Sequence, residues 1–443
     1  MPDKLRYFIQ TYGCQMNTND SERMAGLLKS VGFEESSTEQ EANLVVFNTC
    51  SVRAHAEDRI YGRMEELSER KKKGEDVLVA VMGCMAGRDK NGELRKRLQT
   101  ADLFFPTPDM VNLPRWIAEL RPLWSISGDI AEDYLKIQPL RQKAKQAYVT
   151  IQTGCNHFCT YCVVPYARGL EKNRPAAEVL SEVNDLAAHG VIDITLLGQA
   201  INDYRAPDPG SFSPFNPYKN HFASLLWEVN QIAGIERVHW TAAHPLSMDD
   251  EVIDALTLPK QVNYLHLPVQ SGSNSVLHRM NRKYTREHYL DVISRVKTAR
   301  PGIALGTDII VGFSGESEQD FQNTVELFKE CDFDISYTAQ YSPRSGTLGN
   351  RLYQDDVTED EKKRRWQVLQ DLMEENTLRK NQVYADKTLE VFVEKVEDNV
   401  AYGTSNELKN IRAINADKLA AGKIKNMHIA KALTWLLEGE IVF

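Results

Sequence analysis

The sequence predicts an α/β chain in three parts: an N-terminal α/β domain on a parallel sheet, a partial (β/α)6 barrel, and a small C-terminal antiparallel β domain. Three observations predict this. Short Val/Leu/Phe-rich runs alternate with amphipathic stretches over the first 110 residues, the pattern of a parallel sheet covered on both faces. The alternation restarts near residue 148 and repeats six times without a seventh or eighth, which points to an open barrel. From residue 389 apolar and polar residues alternate with period two, as in a half-buried antiparallel sheet. The expected boundaries are 1–145, 146–380 and 381–443.

In the first part, LRYFIQT (5–11) reads as a strand and 20–31 as a helix. NLVVFN (43–48) is the second strand, followed by a long charged helix over 54–73. VLVAVMG (77–83) is the third, with a helix at 86–98, and ADLFF (101–105) the fourth. The barrel strands are expected at 147–151, 191–197, 235–241, 262–267, 304–312 and 333–341, with helices such as 175–189, 286–298 and 317–330 between them. Pro175 suits a helix start, where its missing N–H costs nothing. A long charged helix follows over 357–381, apolar at Trp366, Leu369, Leu372 and Met373. In the last part LEVFVEKV (389–396) and the closing EIVF read as strands, with Gly403 and Gly422 as turn markers.

The 443 residues are 42% hydrophobic and 26% charged, an ordinary globular balance. No apolar run approaches the roughly 18–20 residues of a membrane span, and the N-terminus lacks the apolar core of a signal peptide. A cytoplasmic monomer without membrane association is the expectation. In that compartment the seven cysteines are expected as ligands or buried thiols rather than disulfides.

Cys155, Cys159 and Cys162 form GCNHFCTYC, directly after the first barrel strand, at the end where such barrels keep their active sites. Three thiolates suit zinc or an iron–sulfur cluster. Zinc usually wants a fourth ligand, and His157 is too close to both neighbours to serve without strain. A [4Fe–4S] cluster with one open iron is therefore expected, with zinc or plain buried thiols as alternatives. Cys14, Cys50 and Cys84 each lie just past one of the first three strands, at the sheet edge where ligands of open α/β sheets gather. Gly13 and Gly83 permit tight turns before two of them. A second three-cysteine cluster is expected there, against the alternative of isolated thiols used as small hydrophobes. Cys331 stands alone and reads as structural.

The C-x3-C-x2-C run after a first barrel strand, with Tyr161 before the third cysteine, resembles the radical S-adenosylmethionine superfamily. Over nearly its whole length the chain resembles the methylthiotransferase family within it: a three-cysteine N-terminal domain, a radical barrel and a C-terminal TRAM RNA-binding domain, in that order. TYGCQMNTNDSE, FNTCSVRAHAEDR, GCMAGR, CVVPYARGLE, HLPVQSGS and YSPRSGT resemble the branch that acts on N6-dimethylallyl(isopentenyl)-adenosine in tRNA. The sister branch acting on threonylcarbamoyl-adenosine more often reads GCK-x-N. The branch modifying a ribosomal-protein aspartate has different N-terminal wording. Four positions depart from the family pattern: LLGQAIN with Ala200, TAAHP with Ala242 and Ala243, FSGE with Ser314, and KNRP after Glu171. They bear on which base is gripped rather than on cluster chemistry.

The resemblance implies a tRNA methylthiotransferase with two [4Fe–4S] clusters and S-adenosylmethionine as cofactors. It implies that the Cys155/Cys159/Cys162 cluster cleaves S-adenosylmethionine to a radical, which takes hydrogen from C2 of the adenosine at tRNA position 37, in the anticodon stem-loop. The cluster at Cys14/Cys50/Cys84 would carry the sulfur, methylated by another S-adenosylmethionine. An aromatic C–H bond is beyond a side-chain base, so a cofactor must carry this chemistry. The electron and sulfur donors are unidentified. Tyr161, Gln199, Gln270 and Ser271 are expected to bind cofactor. Asp308 is expected to face the barrel, in a structural hydrogen bond or in catalysis. Arg344 suits a phosphate, a carboxylate or a surface ion pair, and His244 a core or an active-site position. The run at 70–73 (RKKK) reads as a solvated helix end. Although the net charge is -9, residues 405–431 hold six basic and two acidic groups. Lys409, Arg412, Lys418, Lys423 and Lys425 are therefore expected to meet RNA phosphates. A rival of another class is a non-catalytic RNA-binding protein with structural metal centres.

Overall fold

The computed structural model describes residues 4–51, 54–124, 126 and 132–442. Val52 and Arg53 of the FNTCSVRAHAEDR segment lie outside the described residues.

The N-terminal sheet has five parallel strands: β1 (Arg6–Tyr12), β2 (Glu34–Glu35), β3 (Leu44–Thr49), β4 (Leu78–Gly83) and β5 (Leu103–Phe105), in the order β2-β1-β3-β4-β5. β3 and β4 are buried at every position, which explains their unbroken apolar runs. Val46, Ala80 and Met82 face one apolar cluster; Val45, Phe47, Val79 and Val81 face another. The edge strand β2 was not expected. Its two glutamates carry no apolar pattern, and it exists through pairing with β1.

Helix α1 (Gln15–Ser30) starts five residues earlier than the pattern suggested. It is buried almost all round, including Asn17, Asn19, Asp20, Glu22 and Arg23, because it is wedged between the sheet and the barrel. A helix covered on every side has no amphipathic period to read. Helix α2 (Ala54–Lys72) matches the charged pattern, and its last turn is basic. The stretch expected as one helix over 86–98 is two, α3 (Cys84–Arg88) and α4 (Glu93–Arg97), interrupted by Gly92 at φ +70°.

The barrel begins with β6 (Gln146–Thr150). A short antiparallel ribbon, β7 (Gln152–Thr153) with β8 (Lys172–Asn173), brackets the cysteine loop. β9 (Asp193–Leu197), β10 (Arg237–Trp240), β11 (Tyr264–His266), β12 (Ala304–Val311) and β13 (Ile335–Gln340) complete six parallel strands in two arcs, β10-β9-β6 and β11-β12-β13. A parallel bridge between Val238 and Gln261 joins the arcs. Helices Ala176–Ala188, Arg286–Ala299 and Glu318–Cys331 form where expected. Pro175 occupies the N-cap of the first, and Ser317 makes a capping box with Asp320 in the last. Helix Glu359–Gln382 buries Leu369 and Met373 against the barrel.

The C-terminal strands β14 (Thr388–Glu397), β15 (Val400–Ser405), β16 (Asn410–Ile414), β17 (Ile424–Ala432) and β18 (Leu437–Ile441) close into a small barrel. It is antiparallel except for the β16–β18 pair, which runs parallel. Gly422 turns at φ +74°, as expected. Gly403 instead lies inside β15, where an added Cβ would stand 2.1 Å from the Phe392 carbonyl oxygen. This small barrel docks on the N-terminal ends of the large-barrel strands. Arg237 donates to the carbonyls of Thr404 and Ser405, and Asn263 N–H donates to Asn406 O at 2.7 Å. Among the described residues no helix is long and apolar enough to cross a membrane.

Candidate active site

Three N-terminal cysteines leave the sheet at one level. Tyr12 pairs with Thr49, and Thr49 with Gly83, so β1, β3 and β4 end in register just before Cys14, Cys50 and Cys84. Two buried asparagines clasp the first two exits: Asn17 Nδ2 donates to Asn48 Oδ1 (3.0 Å), and Asn48 Nδ2 donates to Asn17 O (2.8 Å). Asn17 Oδ1 also receives Cys14 Sγ at 3.4 Å. The clasp explains both glycines. A Cβ on Gly13 would lie 2.4 Å from Asn17 Oδ1, and one on Gly83 2.6 Å from Asn48 Oδ1, with Gly83 already at φ +101°.

The other triad sits on the barrel. Cys155 follows Gly154, which sits at φ +72° and where an added Cβ would stand 2.1 Å from Leu170 O, so no side chain fits. Cys155, Cys159 and Cys162 all line one cavity of about 730 Å³. Arg282 Nη1 donates to Cys159 Sγ (3.3 Å) and Val164 N–H to Cys162 Sγ (3.4 Å). Burial pushes the Cys155 thiol up to about 11 and the Cys162 thiol higher, so both are neutral until a cation binds. The donor set fits a thiolate-held cluster: soft sulfurs beside a buried arginine. Among the described residues no three acidic, His or Cys side chains close tightly enough on one point for a single metal ion. A multi-iron cluster needs wider spacing.

The cavity also takes in Cys14, Gln15 and Met16 from the N-terminal sheet edge, and Leu408 and Asn410 from the small barrel. Cys50 and Cys84 are buried and do not line it. Tyr161, Gln199 and Gln270 line it. Gln152 Oε1 holds the Gln199 loop by accepting from the Gln199 and Ala200 N–H groups, and Gln270 sits at φ +71° bridged to β12. Ser271 is a correction. It is fully buried, bonded to Thr324, and turned away from the cavity that its neighbour Gln270 faces.

His244 and Asp308 both line the cavity. His244 stacks on His157 at 3.8 Å and 11°, and burial keeps it neutral. His157 is bound to Asp203, which Ser247 also bonds. Asp308 meets His266 Nε2 at 3.3 Å. Of the departing residues, Ala200, Ala242 and Ala243 line the cavity and Ser314 does not. Cys331 is wholly buried, a structural thiol. The Arg344 carbonyl caps the turn at Thr347.

Lys409 is the second correction. It is buried and paired with Asp334 at 2.9 Å, so it is not offered to a phosphate. Arg412 pairs with Glu438 on the surface; Lys418 and Lys423 are exposed and Lys425 half-buried. Arg168, Arg282, His239, Tyr264, His266 and Tyr337 were not anticipated. Arg282 and the four aromatic residues line the cavity, and Arg168 bonds Cys84. Burial holds His239 down to about 3.

The profile of the uncharacterized protein family UPF0004 matches residues 6–106, and that of the radical SAM superfamily matches residues 149–328. A tRNA-2-methylthio-N(6)-dimethylallyladenosine synthase of Thermoanaerobacter sp. (strain X514) is 38% identical over 447 residues, covering 99% of this chain and 93% of that protein. One from Clostridium botulinum (strain Okra / Type B1) is 39% identical, covering 98% and 96%. In fold, the chain is similar to the radical S-adenosylmethionine methyltransferase TsrM from Kitasatospora setae, with a TM-score of 0.57 and 14% identity over 78% of this chain and 74% of that one. It is also similar to the cobalamin-dependent enzyme OxsB, with a TM-score of 0.53 and 12% identity over 83% and 56%.

Proposed function

The chain belongs to the family of tRNA-2-methylthio-N(6)-dimethylallyladenosine synthases, and from that premise we propose how its residues divide the reaction. It is a radical S-adenosylmethionine enzyme that transfers a methylthio group to N6-dimethylallyladenosine in tRNA, using a [4Fe–4S] cluster and S-adenosylmethionine. Our reading assigns that cluster to Cys155, Cys159 and Cys162, and a second to Cys14, Cys50 and Cys84. The substrate adenosine is the one at position 37 of the anticodon stem-loop.

The observation that carries this reading is the single cavity lined both by the three barrel cysteines and by Cys14. When bound, the barrel cluster supplies the electron that cleaves S-adenosylmethionine, and the chemistry at the adenine C–H belongs to that cofactor. The chain supplies placement. Tyr161, Gln199 and Gln270 contact the cofactor. The His157–His244 stack and Leu408 limit water at opposite ends of the cavity, and Lys418, Lys423 and Lys425 meet the RNA backbone. The three parts of the chain, 1–145, 146–380 and 381–443, each contribute to this one site.

Nucleosides from a strain lacking this chain test the reading by mass spectrometry. Supplying the wild-type chain restores 2-methylthio-N6-dimethylallyladenosine; supplying Cys159→Ala or Cys50→Ala does not. Restoration by either variant overturns the assignment of that triad.

A further inference from the structure

Each cysteine triad meets a buried arginine. Arg282 reaches Cys159, and its remaining nitrogens meet Tyr284 Oη (2.9 Å) and Pro268 O (3.3 Å). Arg168 behaves differently. It ends α5, the short helix Val164–Arg168 that follows Cys162 in the barrel, yet its side chain crosses to the N-terminal sheet edge. There Nε donates to Cys84 Sγ at 3.3 Å and Nη2 to Asp20 Oδ2 at 2.6 Å. Nη1 is buried with no acceptor among the described residues. The close approach of α3 to α5 fixes this crossing: a Cβ on Gly87 would lie 2.1 Å from Ala167 O.

Both side chains of the Arg168–Asp20 pair are 2% exposed. A buried ion pair is weak evidence for a stabilising role, because desolvation offsets its attraction. An arginine nitrogen left without an acceptor beside a cysteine sulfur is harder still to explain by stability. A sulfide-rich cluster on Cys84 would supply an acceptor there.

We propose that Arg168 is a positioning residue of the auxiliary site, and that with Asp20 it sets the reduction potential of the cluster Cys84 holds. This rests on the reading that Cys14, Cys50 and Cys84 hold a cluster. A hydrogen bond to a ligand sulfur and a nearby positive charge both stabilise the added electron and raise the potential. The Asp20 carboxylate opposes this and cancels part of it. The two residues therefore act with opposite sign on one centre, while the Arg282 site is untouched.

The test is a dithionite titration of the reconstituted full-length enzyme, followed by electron paramagnetic resonance with iron counted in parallel. The auxiliary signal is the one lost in Cys50→Ala. Asp20→Asn raises its midpoint and Arg168→Gln lowers it, each changing the reduced-to-oxidised ratio at fixed potential about fivefold, the net worth of one hydrogen bond. The other midpoint stays in place. A purely structural pair would lose iron or stability without moving the midpoint in opposite directions. If Arg168→Gln loses its iron, Asp20→Asn decides alone, since it keeps an acceptor beside the guanidinium: a raised midpoint supports the proposal and an unmoved one overturns it. Wild-type enzyme with about four irons overturns the two-cluster reading and this proposal with it; about eight irons with unmoved midpoints overturns this proposal alone.

Discussion

Lys409 Nζ and Asp334 Oδ1 meet at 2.9 Å in the seam between the two barrels, and Lys380 Nζ holds the other carboxylate oxygen at 3.0 Å. Removing one partner of a buried pair is costly because it strands the other. Lys409→Ala is expected to lower stability by about 3 kcal/mol, the low end for such breaks, since Lys380 remains. Urea unfolding measures this. The salt dependence of tRNA binding should be unchanged in the same variant.

Burial pushes the Asp334 carboxyl up, but Lys409 and Lys380 outweigh it and hold it below its ordinary value. A depressed folded value means the stabilisation is present above the unfolded value, about pH 4, and is lost as pH falls through the folded one. Wild-type stability should drop more steeply than that of Asp334→Asn as pH is lowered from about 5 to 3. Parallel slopes in urea titrations across that range would remove Asp334 from the account.

Gly83→Ala places a methyl against Asn48 Oδ1 and Thr49 O at a backbone φ of +101°. The strained backbone alone costs about 1–3 kcal/mol. The expected result is a lowered melting temperature together with partial loss of iron from the N-terminal site, read by calorimetry and iron analysis.

Cys50→Ala is expected to abolish methylthio transfer while reductive formation of 5′-deoxyadenosine continues. Chromatography of the small-molecule products measures the second, and nucleoside mass spectrometry the first. Loss of both together would make the N-terminal triad structural.

Lys418 and Lys423 are exposed on the small barrel. The double variant Lys418→Ala/Lys423→Ala should weaken tRNA binding and reduce the slope of log affinity against log salt by about 1.5–2, one counterion or slightly less per phosphate contact. A slope equal to wild type would place RNA on another face.

β3, β4 and β12 were legible because buried parallel strands write long β-branched runs into the sequence. Cys14, Cys50 and Cys84 were legible because each follows a strand, and the barrel cysteines because three of them share one short loop after the first barrel strand. Local patterns carry no long-range partner, and the errors share that cause. Lys409 reads as one more surface charge until Asp334, 75 residues earlier, is placed beside it. Ser271 and Gln270 are adjacent in sequence, yet the bend at φ +71° sends one to Thr324 and the other to the cavity. The parallel β16–β18 closure depends on pairing Ile411 with Leu437, which alternation within either strand does not encode. Arg168 lies in the CVVPYARGLE segment, but its partners Cys84 and Asp20 start and line helices of the N-terminal part.

The polar faces of α1 also constrain how the chain is made. Asn19 bonds Thr150, 131 residues further on; Asp20 bonds Arg168; Glu22 bonds Arg141. During synthesis this helix emerges long before any of these partners. Until they arrive it carries uncompensated charge on a surface destined for burial. The first third of the polypeptide thus reaches its final state only after the middle third has left the ribosome, and a fragment cut at residue 145 should fold poorly while the intact chain unfolds these two parts in one transition.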